Sequence, residues 1–195
     1  MPRPSRQGEI LDAALAVFAE HGYDAARVRQ IAARAGVSDA ALYRHYPSKE
    51  AVAADLFATH MRRTAEAFAT IAGDTTLSVE ERVKALARQN LTERNEQPNA
   101  HAFVLGHQHR FLSALPADFP YPIRILDALL QEGQRDGTVV DGPVRVLSAL
   151  VLGCLNWPVI TAQHARAGAI DLTDPGTAGL IADGAWAAVA AQRPR

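Results

Sequence analysis

Residues 28–49, VRQIAARAGVSDAALYRHYPSK, constrain this chain more than any other stretch, because they dictate two short helices meeting at a tight corner. Ile31, Ala32 and Ala35 recur at i, i+1 and i+4 and give the first helix one apolar face. Gly36 follows where a helix terminus favours a left-handed residue, a conformation glycine adopts without the steric cost of a Cβ. Val37 then plugs the corner, and Ser38 offers its hydroxyl oxygen to cap the next helix. That helix, over 39–45, buries Leu42 and turns Asp39, Ala41, Tyr43 and Arg44 outward. Ala32 and Gly36 are small where the two helices come closest. The pattern is a helix-turn-helix, a unit whose second helix enters the DNA major groove. An ordinary helical hairpin shares the corner, so the flanking residues must separate the two.

The flanks are ILDAALAVFAEHGYDA at 10–25, IAARAGVS at 31–38 and LYRHYPSKEAV at 42–52. The span 10–57 resembles the DNA-binding domain of the TetR family of transcriptional regulators. The ordered run AGVS-x-x-x-LY-x-H-[FY]-x-x-K-E carries the resemblance and is far more specific than a lone corner. It covers about the first quarter of the chain. The resemblance implies an all-α protein whose N-terminal three helices hold double-stranded DNA. Its C-terminal helices would bind a small-molecule inducer and form a homodimer. It implies that Tyr43 and His45 touch phosphates, that Lys49 anchors the backbone, and that Asp39, Ala41 and Arg44 lie nearest base edges. Arg27, Val28 and Ser38 complete the DNA-facing set. The chemistry agrees, since arginine reads guanine bidentately and alanine meets a thymine methyl. Two departures stand out. Ala26 and Arg27 replace the Thr or Ser that the family uses as cap and phosphate ligand, and Ala40 replaces a frequent Gly.

A chain of 195 residues holds one large domain or two small ones, and the division expected is 1–48 for DNA and 49–195 for ligand and dimerisation. Net charge is −1, so global electrostatics do not announce a nucleic-acid binder. The first fifty residues carry seven Lys/Arg against six Asp/Glu, so the DNA reading rests on where Arg3, Arg6, Arg27, Arg44 and Lys49 fall. A single cysteine, Cys154, excludes an intrachain disulfide and fits a reducing compartment. The N-terminus has no apolar signal region, and no uninterrupted apolar run is expected to span a bilayer. These features predict a soluble, cytoplasmic protein without membrane contact.

In chain order, helices are expected over about 6–21, the two helix-turn-helix elements, 49–72, 79–96, 100–115 with a break at Gly106, 121–136, 144–166 and 175–192. Ser48 caps the fourth helix, Ser78-x-x-Glu81 forms a capping box for the fifth, and Asp174-Pro175 opens the ninth. Pro158 removes one hydrogen bond inside the eighth and predicts a kink. Nine helices and no alternating strand make the chain all α.

Three constellations compete in the C-terminal part. His101, His107 and His109 suggest a metal-sensing regulator, but a spacing of two puts His107 and His109 on different helix faces, so no metal site or cofactor is predicted. Met61, Phe68, Phe103, His107, Cys154, Trp157 and Thr161 are the expected walls of a largely apolar pocket beside Pro158, suited to a neutral or weakly anionic inducer. Leu147, Val151, Leu155, Leu180, Ala182, Ala185, Trp186 and Val189 are the expected dimer interface on the last two helices. No Gly-rich phosphate loop, nucleophile elbow or H-E-x-x-H helix is present, which argues against a helical enzyme.

Overall fold

The computed structural model describes residues 6–164 and 170–191, without the side chains of 162–164. The arm bearing Arg3 and the expected helix ends at Arg166 and Gln192 lie outside these residues. Among the described residues nine α-helices follow one another: α1 (Arg6–His21), α2 (Val28–Arg34), α3 (Asp39–His45), α4 (Lys49–Ala72), α5 (Val79–Glu96), α6 (Pro98–Phe111), α7 (Pro122–Arg135), α8 (Val144–His164) and α9 (Pro175–Ala187). A 3-10 turn covers Leu112–Ala114, and the described residues otherwise contain only an isolated bridge between Val139 and Ala190.

Side-chain caps set most of the boundaries. The Ser38 and Ser48 hydroxyls accept the Ala41 and Ala51 N–H groups at 3.2 and 3.1 Å. At α5 the box is reciprocal: Ser78 Oγ accepts the Glu81 N–H, and the Glu81 carboxylate accepts the Ser78 N–H at 2.8 Å. Asp174 accepts the Thr177 N–H at 2.7 Å. Two expectations change. Pro98 opens α6 instead of merely ending α5, because its fixed φ suits a first turn, and α6 passes through Gly106 without a break. As expected, α8 runs through Pro158 as one helix, with the Thr161 hydroxyl donating to the carbonyls of Trp157 and Pro158 at 3.0 Å each.

The chain forms two compact units, Met1–Met61 with Gln97–Phe119, and Arg62–Glu96 with Pro120–Arg195. α6 therefore packs with the helix-turn-helix, and the contact boundary falls inside α4 and not at residue 48. The first unit is built on Ile10, Val17, Phe18, Ile31, Leu42 and Phe57, joined by Phe103 and Phe111 of α6. The second is built on Val83, Leu86, Leu126, Leu130, Val151 and Leu155. There Gly133 lets Val139 close in: a Cβ on Gly133 would meet a Val139 methyl at 2.5 Å. Arg82, almost fully buried, binds the C-terminal carbonyl of Ala72 at 2.9 Å and forks onto Glu132 of α7. Contrary to the sequence expectation, Val144–Thr161 of α8 is long and apolar enough to cross a membrane by length and composition alone. Leu147, Val151, Leu155 and Val159 of that helix are buried inside the protein.

Candidate functional site

The corner between α2 and α3 is made as the residues dictate. Gly36 sits at φ +65°, and the Gly36 and Val37 N–H groups donate to the carbonyls of Ala33 and Ala32 at 3.3 and 3.0 Å, closing the end of α2. Ile31, Ala32 and Leu42 are completely buried and hold α3 by its inner side. On the other side Asp39, Ala40, Tyr43, Arg44 and His45 are exposed, Tyr43 by 52%. Arg27 and Ser38 are exposed as well, while Val28 and Ala41 are half-buried. Ala40 is a solvent-facing position that the expected set omitted. Its small side chain gave no chemical signal, although its spacing from Leu42 did. Neither Asp39 nor Arg44 has an ion-pair partner among the described residues, so the Arg44 guanidinium is available to an incoming acceptor.

Lys49 is different. Its ammonium donates to the carbonyls of Tyr23, Asp24 and Ala26 at 2.8, 3.0 and 3.0 Å, and lies 4.7 Å from the Tyr23 ring centroid. An ammonium has three donors, and all three are occupied. The expected anchoring role is thus corrected: Lys49 fastens the loop between α1 and α2 instead of reaching for a phosphate. Tyr23, buried beneath it, donates its hydroxyl to Glu50 at 3.3 Å. Burial, then the Glu50 charge, pushes that hydroxyl's pKa up. Arg110 of α6 covers the same ring at 4.6 Å and reaches Asp24 at 3.4 Å.

The expected pocket residues disperse. Phe103 stacks on Phe18 with centroids 5.4 Å apart, and His107 stacks on Phe103 at 4.7 Å with its Nδ1 2.9 Å from the Phe103 carbonyl. Both belong to the aromatic core of the first unit, because α6 packs against α1; Met61 is packed against that core too. Phe68 is buried in the second unit, where Cys154 is packed half-buried. Thr161 turns its hydroxyl back on its own helix. Trp157 is 65% exposed, which corrects its assignment to an interior wall. The described residues contain no group of three or more His, Cys, Asp or Glu side chains able to hold a metal ion, and His109 is exposed apart from His107.

Residues 10–56 match the family described as bacterial regulatory proteins, tetR family. The chain is 26% identical over 176 residues to the fatty acid metabolism regulator protein of Bacillus subtilis, covering 78% of this chain and 81% of that protein. Its fold is similar to that of the fatty acid degradation regulator FadR from Bacillus halodurans, with a TM-score of 0.73, 25% identity, and 91% and 96% of the two chains covered. FadR from Bacillus subtilis in complex with stearoyl-CoA shares the fold with a TM-score of 0.73 at 22% identity, over 92% and 97% of the chains. Its N-terminal DNA-binding domain, residues 10–56, is that of the tetR family. With that domain the chain is a DNA-binding transcriptional regulator, and the proteins it resembles are regulators rather than enzymes.

In this regulator the expected interface residues on α8 and α9 need correction. Leu147, Val151 and Leu155 of α8, and Ala182, Ala185 and Val189 of α9, are buried in the core of their own unit, and Trp186 is half-buried beside them. Leu180 alone of the set is exposed, by 74%. The apolar side chains that do face solvent are Val146, Leu150 and Trp157, spaced four and seven apart on α8, together with Leu180. The helical period was read correctly, but the inner stripe was assigned to the outer surface.

Proposed function

We propose that this regulator is a homodimeric, cytoplasmic repressor that binds a palindromic operator and is released by a long-chain acyl thioester. The orientation of α3 carries the DNA reading. Leu42 points wholly inward, and Tyr43, Arg44 and His45 project into solvent beside Arg27 and Ser38. One seven-residue helix reads only a few base pairs, so two copies on a palindrome supply the specificity. The outward apolar row Val146, Leu150, Trp157 and Leu180 supports self-association as the means of pairing them. In this reading Lys49 holds the loop, and Tyr43 and His45 contact phosphates. The division of labour follows the expected one, with DNA at 1–48 and effector and dimer functions at 49–195.

The acyl-thioester effector is supported by the fatty acid regulators the chain resembles and by the stearoyl-CoA bound to one of them. Its acyl chain agrees with the largely apolar, neutral or weakly anionic molecule that the sequence predicts, whereas the CoA phosphates make the whole effector more strongly anionic. A gel shift with the chain's own upstream region tests both parts. Retardation at physiological salt and its reversal by stearoyl-CoA, but not by CoA alone, are expected. Failure to retard the fragment would remove the repressor reading, and retardation that stearoyl-CoA leaves unchanged would remove the effector.

A further inference from the structure

We infer that Asn90 orients the effector, its buried carboxamide oxygen accepting a hydrogen bond from a neutral N–H or O–H group of the bound molecule. At 100° per residue, Val79, Val83, Leu86, Ala87 and Asn90 fall on one stripe of α5, with Asn90 near its middle. The other four are buried in the core of the second unit. An amide at the centre of such a stripe must have its polar atoms satisfied. Yet Asn90 Oδ1 is inaccessible to solvent and has no hydrogen-bond donor among the described residues.

The polar groups next along α5 are bonded elsewhere. Glu93 takes the Thr64 hydroxyl at 2.7 Å and the Gln89 amide at 3.1 Å. Arg94 donates to Asn95 Oδ1 at 2.8 Å, and Asn95 donates to the Leu172 carbonyl at 3.1 Å. A buried acceptor left without a donor penalises the fold, and proteins keep few of them. Binding a donor-bearing molecule removes the penalty only in the bound state. A carbonyl oxygen repels a carboxylate or phosphate and gains nothing from a methylene, so its partner brings an N–H or O–H donor. On the acyl thioester proposed above, on which the choice of probes rests, that donor is either an N–H or O–H of the CoA moiety, such as an amide of the pantetheine arm, or a hydroxyl on the acyl chain.

The test is Asn90→Leu in the full-length protein, a change of similar shape without the oxygen. The ligand-free variant is expected to melt about 2–4 °C above wild type, because an uncompensated polar atom has been removed. Titrations with stearoyl-CoA and 3-hydroxystearoyl-CoA then locate the donor. A tenfold or greater loss for both identifies a donor of the CoA moiety, and a loss confined to the hydroxylated probe identifies the acyl hydroxyl. A variant that melts below wild type overturns the inference whatever its affinities, since the oxygen is then satisfied without ligand. Unchanged affinity for both probes also overturns it. If wild type binds neither thioester, the effector class is wrong, and the sign of the melting shift still decides whether the oxygen is unpaired.

Discussion

The Lys49 ammonium donates to the carbonyl of Tyr23 at 2.8 Å while lying 4.7 Å from the centroid of that residue's ring. One cation thus closes the backbone and the side chain of the same loop residue, and it reaches Asp24 and Ala26 with its remaining donors. Lys49→Met leaves three carbonyls without that donor. It should cost about 1–3 kcal/mol of stability, seen as a lower melting temperature. The slope of log affinity for DNA against log salt should not change, because no phosphate contact is lost. A slope shallower by about one with an unchanged melting temperature would restore a phosphate role.

Tyr43 and Arg44 separate positioning from readout. Tyr43→Ala should weaken binding to operator and random duplex by the same factor. Arg44→Ala should weaken operator binding by about 1–3 kcal/mol and relax the base preference at one position of each half-site. Competition gel shifts with single-base operator variants measure both, and equal binding by parent and variants would exclude α3 as the reading helix.

Leu150 and Leu180 face solvent, whereas Ala182 is buried. Leu150→Glu and Leu180→Glu should therefore give folded monomers of near-parental melting temperature that no longer bind operator. Ala182→Glu should instead unfold the second unit, because an unpaired carboxylate enters its core. Sedimentation and thermal melting of the three variants distinguish these outcomes. Trp157, on the same exposed row, should show red-shifted emission in the Leu150→Glu monomer relative to the parent. A parent chain that sediments as a monomer at micromolar concentration would remove the dimer proposal.

Arg82 holds the carboxyl of Glu132 below its ordinary 4.5, chiefly by hydrogen bonding. The folded value lies below the unfolded one, so the pair's contribution is complete above 4.5 and disappears as pH falls through the depressed folded value. The Glu132 side chain is 43% exposed, so solvent screening keeps the effect modest. Glu132→Gln should lower the melting temperature at pH 7, and the difference from parent should shrink as pH falls below 4.5. A difference that stays constant across this range would mean that the pair contributes through packing alone.

The sequence by itself determined the helices and their caps. Ser38, Ser48, Ser78 with Glu81, and Asp174 act on neighbours no more than four residues away, and that local chemistry is complete before any packing occurs. The helix-turn-helix was legible for the same reason, since its corner is a short-range arrangement around Gly36 and Leu42. The period of α8 was legible too, and it sets Leu147, Val151 and Leu155, the stripe expected at the dimer interface, apart from Val146, Leu150 and Trp157. It did not say which stripe lies inside, because both are apolar and the choice depends on what packs against them. Tertiary structure turned the first stripe into the core and left the second in solvent. It likewise placed Phe103 and His107 against Phe18 and Tyr23, and brought Lys49 onto three carbonyls more than twenty residues away. Contacts at such separations exist only once the helices have packed, which is why no local pattern encodes them.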